Sequence, residues 1–236
     1  MQKKLYCVAA KYTKNYQQLL KIKKFIYVVI FSLILATASY ADIRQVGQNS
    51  YEAGVNSIEM SFKAAPETFG IQRQDQWCWA ASIQMILNYH GLYVTQEKVV
   101  QMIKGDLRNE GGTHEEIIYA LNGWGIDYQG RPSTVRAFTD NSLTPAGLIN
   151  ILAYKYPMIA ELNNSDGSGH AVVLTAVGFH YVAVWNGYAY ANVPVLDYAI
   201  YRDPWGRDGK PSRQTEYWSS FGSRVRNLDQ VFVAKY

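Results

Sequence analysis

The sequence predicts an α+β fold with a helical N-terminal lobe and a β-rich C-terminal lobe. Helical patterns with start and stop signals occupy the stretch from Cys78 to Tyr156. After Tyr156 the pattern changes to short runs of β-branched and aromatic residues separated by turn residues. Because the helices come first and the strands second, the order indicates α+β architecture rather than alternating βαβ units.

The first predicted helix spans residues 78–90. Its apolar residues recur at helical spacing, and Gly91 supplies a stop signal. The residues of this apolar face are Trp79, Ile83, Ile86 and Leu87. We therefore expect one side of the helix to pack against the core.

Three further helices are predicted from capping residues. Thr95 caps the second helix. Thr113 and Glu116 form a capping box at the start of the third, since each side chain can bond the other's backbone N–H. Thr144 precedes the fourth, with Pro145 at the first helical position, where a missing N–H is tolerated.

The second half of the chain predicts strands. The predicted strands are 157–162, 170–177, 181–185, 188–190, 195–202 and 230–235. Asn186-Gly187 lies between two of them and is a strong signal for a two-residue hairpin turn. A weaker strand signal falls near residues 57–62.

The first 41 residues have the pattern of a secretory signal peptide. They contain seven lysines and no acidic residue, then twelve mostly apolar residues, then Ser39-Tyr40-Ala41. The apolar run is shorter than the ~20 residues that span a bilayer, although an uncleaved anchor is the alternative. We expect residues 1–41 to be removed and the protein to be exported, either periplasmic or secreted, with no stable membrane association afterwards.

Removing the leader changes the charge of the chain. Sixteen basic and 19 acidic residues remain, so the net charge falls from +4 to about −3. Without a basic surface, nucleic acid is not an expected partner. The remainder suits an N-terminal arm at 42–65 and one domain at 66–236.

Cys78 is the one cysteine left after the leader is removed, so an internal disulfide is excluded. It lies where irregular chain becomes helix, and the positive end of a helix favours a thiolate, the reactive form. Gln72, six residues upstream, can direct its amide toward a developing oxyanion, with the Cys78 backbone N–H as second donor. Gln76 competes for that role, and the alternative for Cys78 itself is a buried structural residue.

His170 is the predicted general base. It opens an apolar strand after a polar, glycine-containing loop, which combines rigid support with access. His180 is its main rival. Asp203, followed by Pro-Trp-Gly, is the best-placed acceptor for the second ring nitrogen, with Asn186 as the substitute. No metal or other cofactor is predicted, because no Cys/His group has ligand spacing.

These motifs resemble the papain-like cysteine peptidases. The residues that carry the resemblance are Gln72, Cys78-Trp79-Ala80-Ala81, the Gly169–Val173 strand and Asp203-Pro204-Trp205. The chain looks closest to the branches of bacterial avirulence-effector proteases and bacteriocin-leader peptidases. The resemblance implies a papain-like fold with the active site between the lobes.

The same resemblance implies roles for four residues: Gln72 as oxyanion donor, Cys78 as nucleophile, His170 as base and Asp203 as orienter. The expected activity is hydrolysis of a polypeptide substrate through an acyl-enzyme. Two alternatives stay open. One is a cell-wall amidase or acyltransferase that uses the same Cys-His pair, and the other is an inactive papain-like module that binds peptides.

Overall fold

The structure is a computed structural model that describes residues 42–56, 71–126, 130–207 and 210–235. The predicted signal peptide and the predicted strand near 57–62 lie outside these residues. None of the helices within them is long and apolar enough to cross a membrane.

The described residues form five helices and eight strands. The helices are α1 (Cys78–Tyr89), α2 (Gln96–Lys104), α3 (His114–Asn122), α4 (Pro145–Ala153) and α5 (Trp218–Arg224). The strands are β1 (Ile43–Gly47), β2 (Ser50–Gly54), β3 (Ser133–Thr139), β4 (Met158–Asn163), β5 (Gly169–Trp185), β6 (Tyr190–Arg207), β7 (Lys210–Tyr217) and β8 (Val225–Lys235).

All eight strands belong to one antiparallel sheet, ordered β1-β2-β5-β4-β8-β3, with β6 pairing β5 and β7. β5 organises the sheet because it pairs with three strands. It pairs with β4 along residues 169–174, with β2 along 176–179 and with β6 along 173–185. The start of β5 is therefore held by β4, and β6 joins on the other side from Val173 onward.

Alternation along the strands gives the sheet two apolar faces. Ile159 and Val173 pack with α1, α2 and α3, whereas Met158 and Val172 pack with α4 and α5 on the other face. The α+β prediction is confirmed. The helices, however, do not form a separate half of the molecule, because α4 covers the face of the sheet opposite α1.

Helix α1 departs from the predicted one-sided pattern. Every residue from Trp79 to Tyr89 is buried, polar residues included. Ser82 donates to the Ala171 carbonyl, Gln84 donates to the Val94 carbonyl, and Asn88 accepts from the Val94 N–H. Because each polar group has a partner inside the protein, α1 is a central helix whose polar residues resemble a solvent face in sequence.

Several elements extend beyond the sequence prediction. The predicted strands at 170–177 and 181–185 are one strand, β5. The turn that follows has four residues, 186–189, since Asn186 Oδ1 accepts from the N–H groups of Tyr188 and Ala189. Strands β1, β2, β3 and β7 and helix α5 were not predicted. The predicted irregular arm thus contributes a hairpin, whose Ala53 is fully buried.

Candidate active site

Cys78 is the first residue of α1 and is half-buried. The N-cap residue Trp77 makes no side-chain cap, and the first turn of the helix contains no acidic residue. The positive end of the helix therefore faces Cys78 without a competing carboxylate in that turn.

His170 lies at the start of β5, opposite Leu162 of β4. One hydrogen bond links this strand to the helix of Cys78: Ser82 Oγ donates to the carbonyl oxygen of Ala171 at 3.0 Å. Ser82 is one turn after Cys78, and Ala171 directly follows His170. The two candidate catalytic residues are therefore held relative to each other by a buried bond between their own elements.

The structure brings three of the predicted site residues together. His170 Nε2 is 2.8 Å from Asp203 Oδ1, and His170 also lines the same cavity as Cys78 and interacts with it electrostatically. Asp203 Oδ1 additionally accepts from the Trp205 N–H at 2.9 Å. With Nε2 occupied by Asp203, Nδ1 is the ring nitrogen left for the thiol. The imidazole of His170 therefore lies between the carboxylate of Asp203 and the sulfur of Cys78.

Electrostatics among these three residues favour a protonated imidazole. Burial alone lowers the pKa of His170, but its hydrogen bond to Asp203 and its interactions with the Asp203 carboxylate and with Cys78 outweigh it and raise the pKa to about 9. Burial tends to raise the pKa of Asp203, yet the hydrogen bond and charge of His170 leave it below its ordinary value. An imidazolium flanked by a carboxylate and a sulfur is consequently stable at neutral pH.

Gln72 lies on the loop that leads to α1. Its backbone N–H donates to the Pro204 carbonyl, which ties this loop to the chain just after Asp203. Its Nε2 donates to the carbonyls of Gln74 and Asp75, at 3.0 and 2.8 Å. To donate to an oxyanion, the side-chain amide of Gln72 would have to give up one of these two hydrogen bonds. The predicted oxyanion role of Gln72 stays a prediction.

Gln76 lines the cavity that contains Cys78 and His170, whereas Gln72 lines a separate, shallower depression with Trp205. The cavity of Cys78 has a volume of about 490 Å³. That volume is within the range of small-ligand sites. It can accommodate a few residues of a peptide.

One wall of this cavity is formed by Gly111, Gly112 and Thr113, which sequence reasoning did not connect with the site. The indole of Trp77 donates to the Arg108 carbonyl and that of Trp79 to the Glu110 carbonyl. Gly112 lies so close to Trp79 that an added Cβ would be 2.6 Å from the indole ring. The two tryptophans that flank Cys78 are therefore buried side chains that support the cavity wall. Their indole N–H groups hold the segment that leads into this wall by donating to its backbone carbonyls.

The residues that were considered as alternatives to His170 and Asp203 lie elsewhere in the described part of the chain. His180 is ten residues along β5 from His170 and pairs with Asp197, 2.8 Å away. Asn186 uses its side-chain oxygen in the turn after β5. Neither residue lines the cavity of Cys78.

A second polar group shares the cavity and was not anticipated from sequence. We call it the His114 cluster, formed by His114 at the start of α3, Glu161 of β4 and Asp229 of β8. His114 and Glu161 line the same cavity as Cys78, and Asp229 is fully buried behind them. Burial and the neighbouring charge of Glu161 raise the pKa of Asp229 to about 7, although a hydrogen bond from Thr139 opposes the shift. No sequence signal marks this group, since its members come from three distant segments.

Fold and site together define the class of papain-like cysteine peptidases, in which a cysteine at a helix start meets a histidine from the sheet. The chain belongs to the Peptidase_C39 like family, whose family model matches residues 66–228. The two branches suggested by the sequence stay predictions. No curated protein matches the chain significantly.

Among solved structures, the chain is similar to the peptidase domain of Streptococcus ComA, which is described as a bi-functional ABC transporter involved in a quorum sensing pathway. The two sequences are 17% identical, and the match covers 70% of this chain and 96% of that chain, with a TM-score of 0.42.

Proposed function

We propose that this protein is a cysteine peptidase that cleaves polypeptides through a Cys78 acyl-enzyme. The observation that carries the proposal is the hydrogen bond between Asp203 and His170, whose imidazole lines one cavity together with Cys78 at the positive end of α1. Membership in a peptidase family supports the same chemistry.

The proposed reaction has two stages. The Cys78 sulfur attacks the substrate carbonyl carbon while the carbonyl oxygen becomes an oxyanion, which accepts hydrogen bonds from the Cys78 N–H and the Gln72 amide. The C–N bond then breaks as His170 gives its proton to the leaving amine. Water, deprotonated by His170, attacks the thioester and releases the acid and the thiol.

Asp203 acts through His170 in this scheme. Its hydrogen bond to Nε2 fixes the ring so that Nδ1 faces the sulfur, and its charge stabilises the imidazolium. Export of the enzyme, periplasmic or beyond, is part of the proposal and depends on the signal-peptide pattern at residues 1–41.

The test is a comparison of products from two substrates. We expect the protein to release new amino termini from a denatured polypeptide, and Cys78→Ala to remain folded but inactive. Release of stem peptides from peptidoglycan without cleavage of the polypeptide would instead establish the amidase alternative. An intact polypeptide and intact peptidoglycan, with binding of peptides retained in Cys78→Ala, would establish a binding module and refute the peptidase.

A further inference from the structure

We propose that the His114 cluster is a binding site for a divalent transition-metal ion, open to the same cavity as Cys78. This site is separate from the peptidase chemistry, and its existence does not depend on the proposed function. Its three donors are His114 Nδ1 and one carboxylate oxygen each from Glu161 and Asp229, all within 4.8 Å of one another.

The hydrogen bonds around His114 leave Nδ1 directed at the two carboxylates. Nε2 is 2.9 Å from Thr139 Oγ1, and the Thr139 hydroxyl donates to Asp229 Oδ1 at 2.8 Å. Because the hydroxyl has only one hydrogen, it must accept from the Nε2–H of His114. Nδ1 shares a proton with Glu161 Oε1, 2.6 Å away, and a bound metal ion would displace that proton. A histidine held through one N–H by an oxygen acceptor then presents its other nitrogen as a ligand, the arrangement usual around protein metal sites.

The two carboxylates are held by neighbouring side chains, and one oxygen of Asp229 is an unused acceptor. Asn227 Nδ2 donates to Glu161 Oε2 at 3.1 Å, which orients Glu161 Oε1 toward His114. Asp229 has no exposed surface, and its Oδ2 has no hydrogen-bond partner among the described residues. A buried carboxylate oxygen without a partner costs free energy unless a cation or a proton satisfies it.

The distances suit one ion with a small adjustment. His114 Nδ1 is 3.9 Å from Asp229 Oδ1 and 2.6 Å from Glu161 Oε1. Two ligands each ~2.0–2.2 Å from one ion lie roughly 3–3.5 Å apart, so the ring must move away from the Glu161 carboxylate and toward that of Asp229, in each case by less than about 1 Å. The required movement is small for part-exposed side chains.

The types of ligand atom indicate which ions the site can bind, and the burial of its residues indicates which side of the site is open. One imidazole and two carboxylates suit Zn²⁺ or Mn²⁺, whereas Mg²⁺ and Ca²⁺ prefer oxygen ligands alone. Asp229 closes the site from behind, and His114 and Glu161 line the cavity. The remaining coordination position therefore faces the cavity, where water or a substrate oxygen can occupy it.

The experiment measures Zn²⁺ and Mn²⁺ binding by isothermal titration calorimetry and thermal unfolding. The metal-depleted protein carries Cys78→Ala, because a thiol beside His170 could itself bind zinc. Glu161→Gln removes one ligand charge, and Glu115→Gln is the matched control, since Glu115 also lines the cavity but lies outside the cluster. We expect one ion per chain and a higher Tm with metal in the Cys78→Ala protein and in the control.

Glu161→Gln should weaken the affinity by at least about tenfold and abolish the rise in Tm. Thr139→Val keeps all three ligands but removes the acceptor for Nε2–H, and should weaken binding by about tenfold. It serves as the second test if Glu161→Gln does not fold.

Absence of binding in the Cys78→Ala protein would show that a shared proton satisfies the carboxylates and would overturn the proposal. Equal affinity in the Glu161 and Glu115 variants, or in Thr139→Val and its parent, would overturn it as well.

Discussion

His170 interacts with both Asp203 and Cys78, and the pKa that results determines the pH range in which the proposed ion pair exists. Asp203 and Cys78 raise the pKa of His170 to about 9, so the imidazolium is present below that pH and is lost as the pH rises through it. We therefore expect the alkaline limb of kcat/KM to fall near pH 9. Since the groups interact, this limb belongs to the set of three residues rather than to one residue.

Replacement of Asp203 should shift the alkaline limb of the pH profile of kcat/KM. Asp203→Ala removes a hydrogen bond and a negative charge that raise the pKa of His170, so the limb should shift to lower pH by at least about one unit. Turnover should fall too, because the ring is no longer oriented. Asp197→Ala is the matched control, since Asp197 forms the same kind of pair with His180. A pH profile of kcat/KM unchanged by Asp203→Ala would assign the orienting role to another residue.

The oxyanion donor can be identified by comparing two glutamines. Gln72 has the predicted spacing but donates to loop carbonyls, whereas Gln76 lines the cavity. If Gln72 exchanges one loop bond for the oxyanion, Gln72→Ala should lower kcat by about 10²–10³-fold, with a much smaller effect of Gln76→Ala. Single-turnover kinetics of both variants provide the measurement. A larger loss of kcat in Gln76→Ala would transfer the role to Gln76.

At the scale of elements, the bond between α1 and β5 is a positioning contact. Ser82→Ala leaves the Ala171 carbonyl without its donor and should reduce the free energy of unfolding by about 1 kcal/mol. Because the bond also aligns Cys78 with His170, kcat should fall by roughly 10–100-fold with little change in KM.

The control for this prediction removes a similar bond elsewhere. Thr175 donates to the Ile200 carbonyl at 3.0 Å and joins β5 to β6 within the sheet. Thr175→Val should lower stability to a similar extent and leave kcat nearly unchanged. Equal kcat values for Ser82→Ala and Thr175→Val at a temperature where both are folded would show that the Ser82 bond contributes stability alone.

Helix starts were the elements best predicted from sequence, since their signals are local. The side chains of Thr95, Thr113 and Thr144 accept the cap hydrogen bonds that the sequence indicates, and the capping box at Thr113 is complete. Helix α1 has no such side-chain cap, and its start was inferred from the change to helical spacing at Cys78. The turn after β5 was misjudged because Asn186 satisfies two backbone N–H groups of a longer loop.

At the scale of the whole molecule, the features that were not predicted from sequence depend on contacts between segments that are far apart in the chain. The Arg44–Glu52 hairpin was read as irregular chain, since its residues alternate weakly and are ordered by β5. The His114 cluster was missed for the same reason, because its ligands become neighbours only when β4 and β8 pair and α3 packs beside them. Cys78 and His170 could be proposed from sequence because each lies at the start of an element, whereas Asp203, expected just after a strand ending at residue 202, lies within the longer strand β6.

The most direct test of the central claim is the rate at which iodoacetamide alkylates Cys78 at pH 6. A sulfur held ionised by α1 and by imidazolium His170 should react faster than free cysteine at that pH, where free thiols are almost fully protonated. His170→Ala should abolish the excess rate while the protein stays folded. Alkylation no faster than that of free cysteine, or unaffected by His170→Ala, would contradict the Cys78–His170 ion pair on which the proposed peptidase depends.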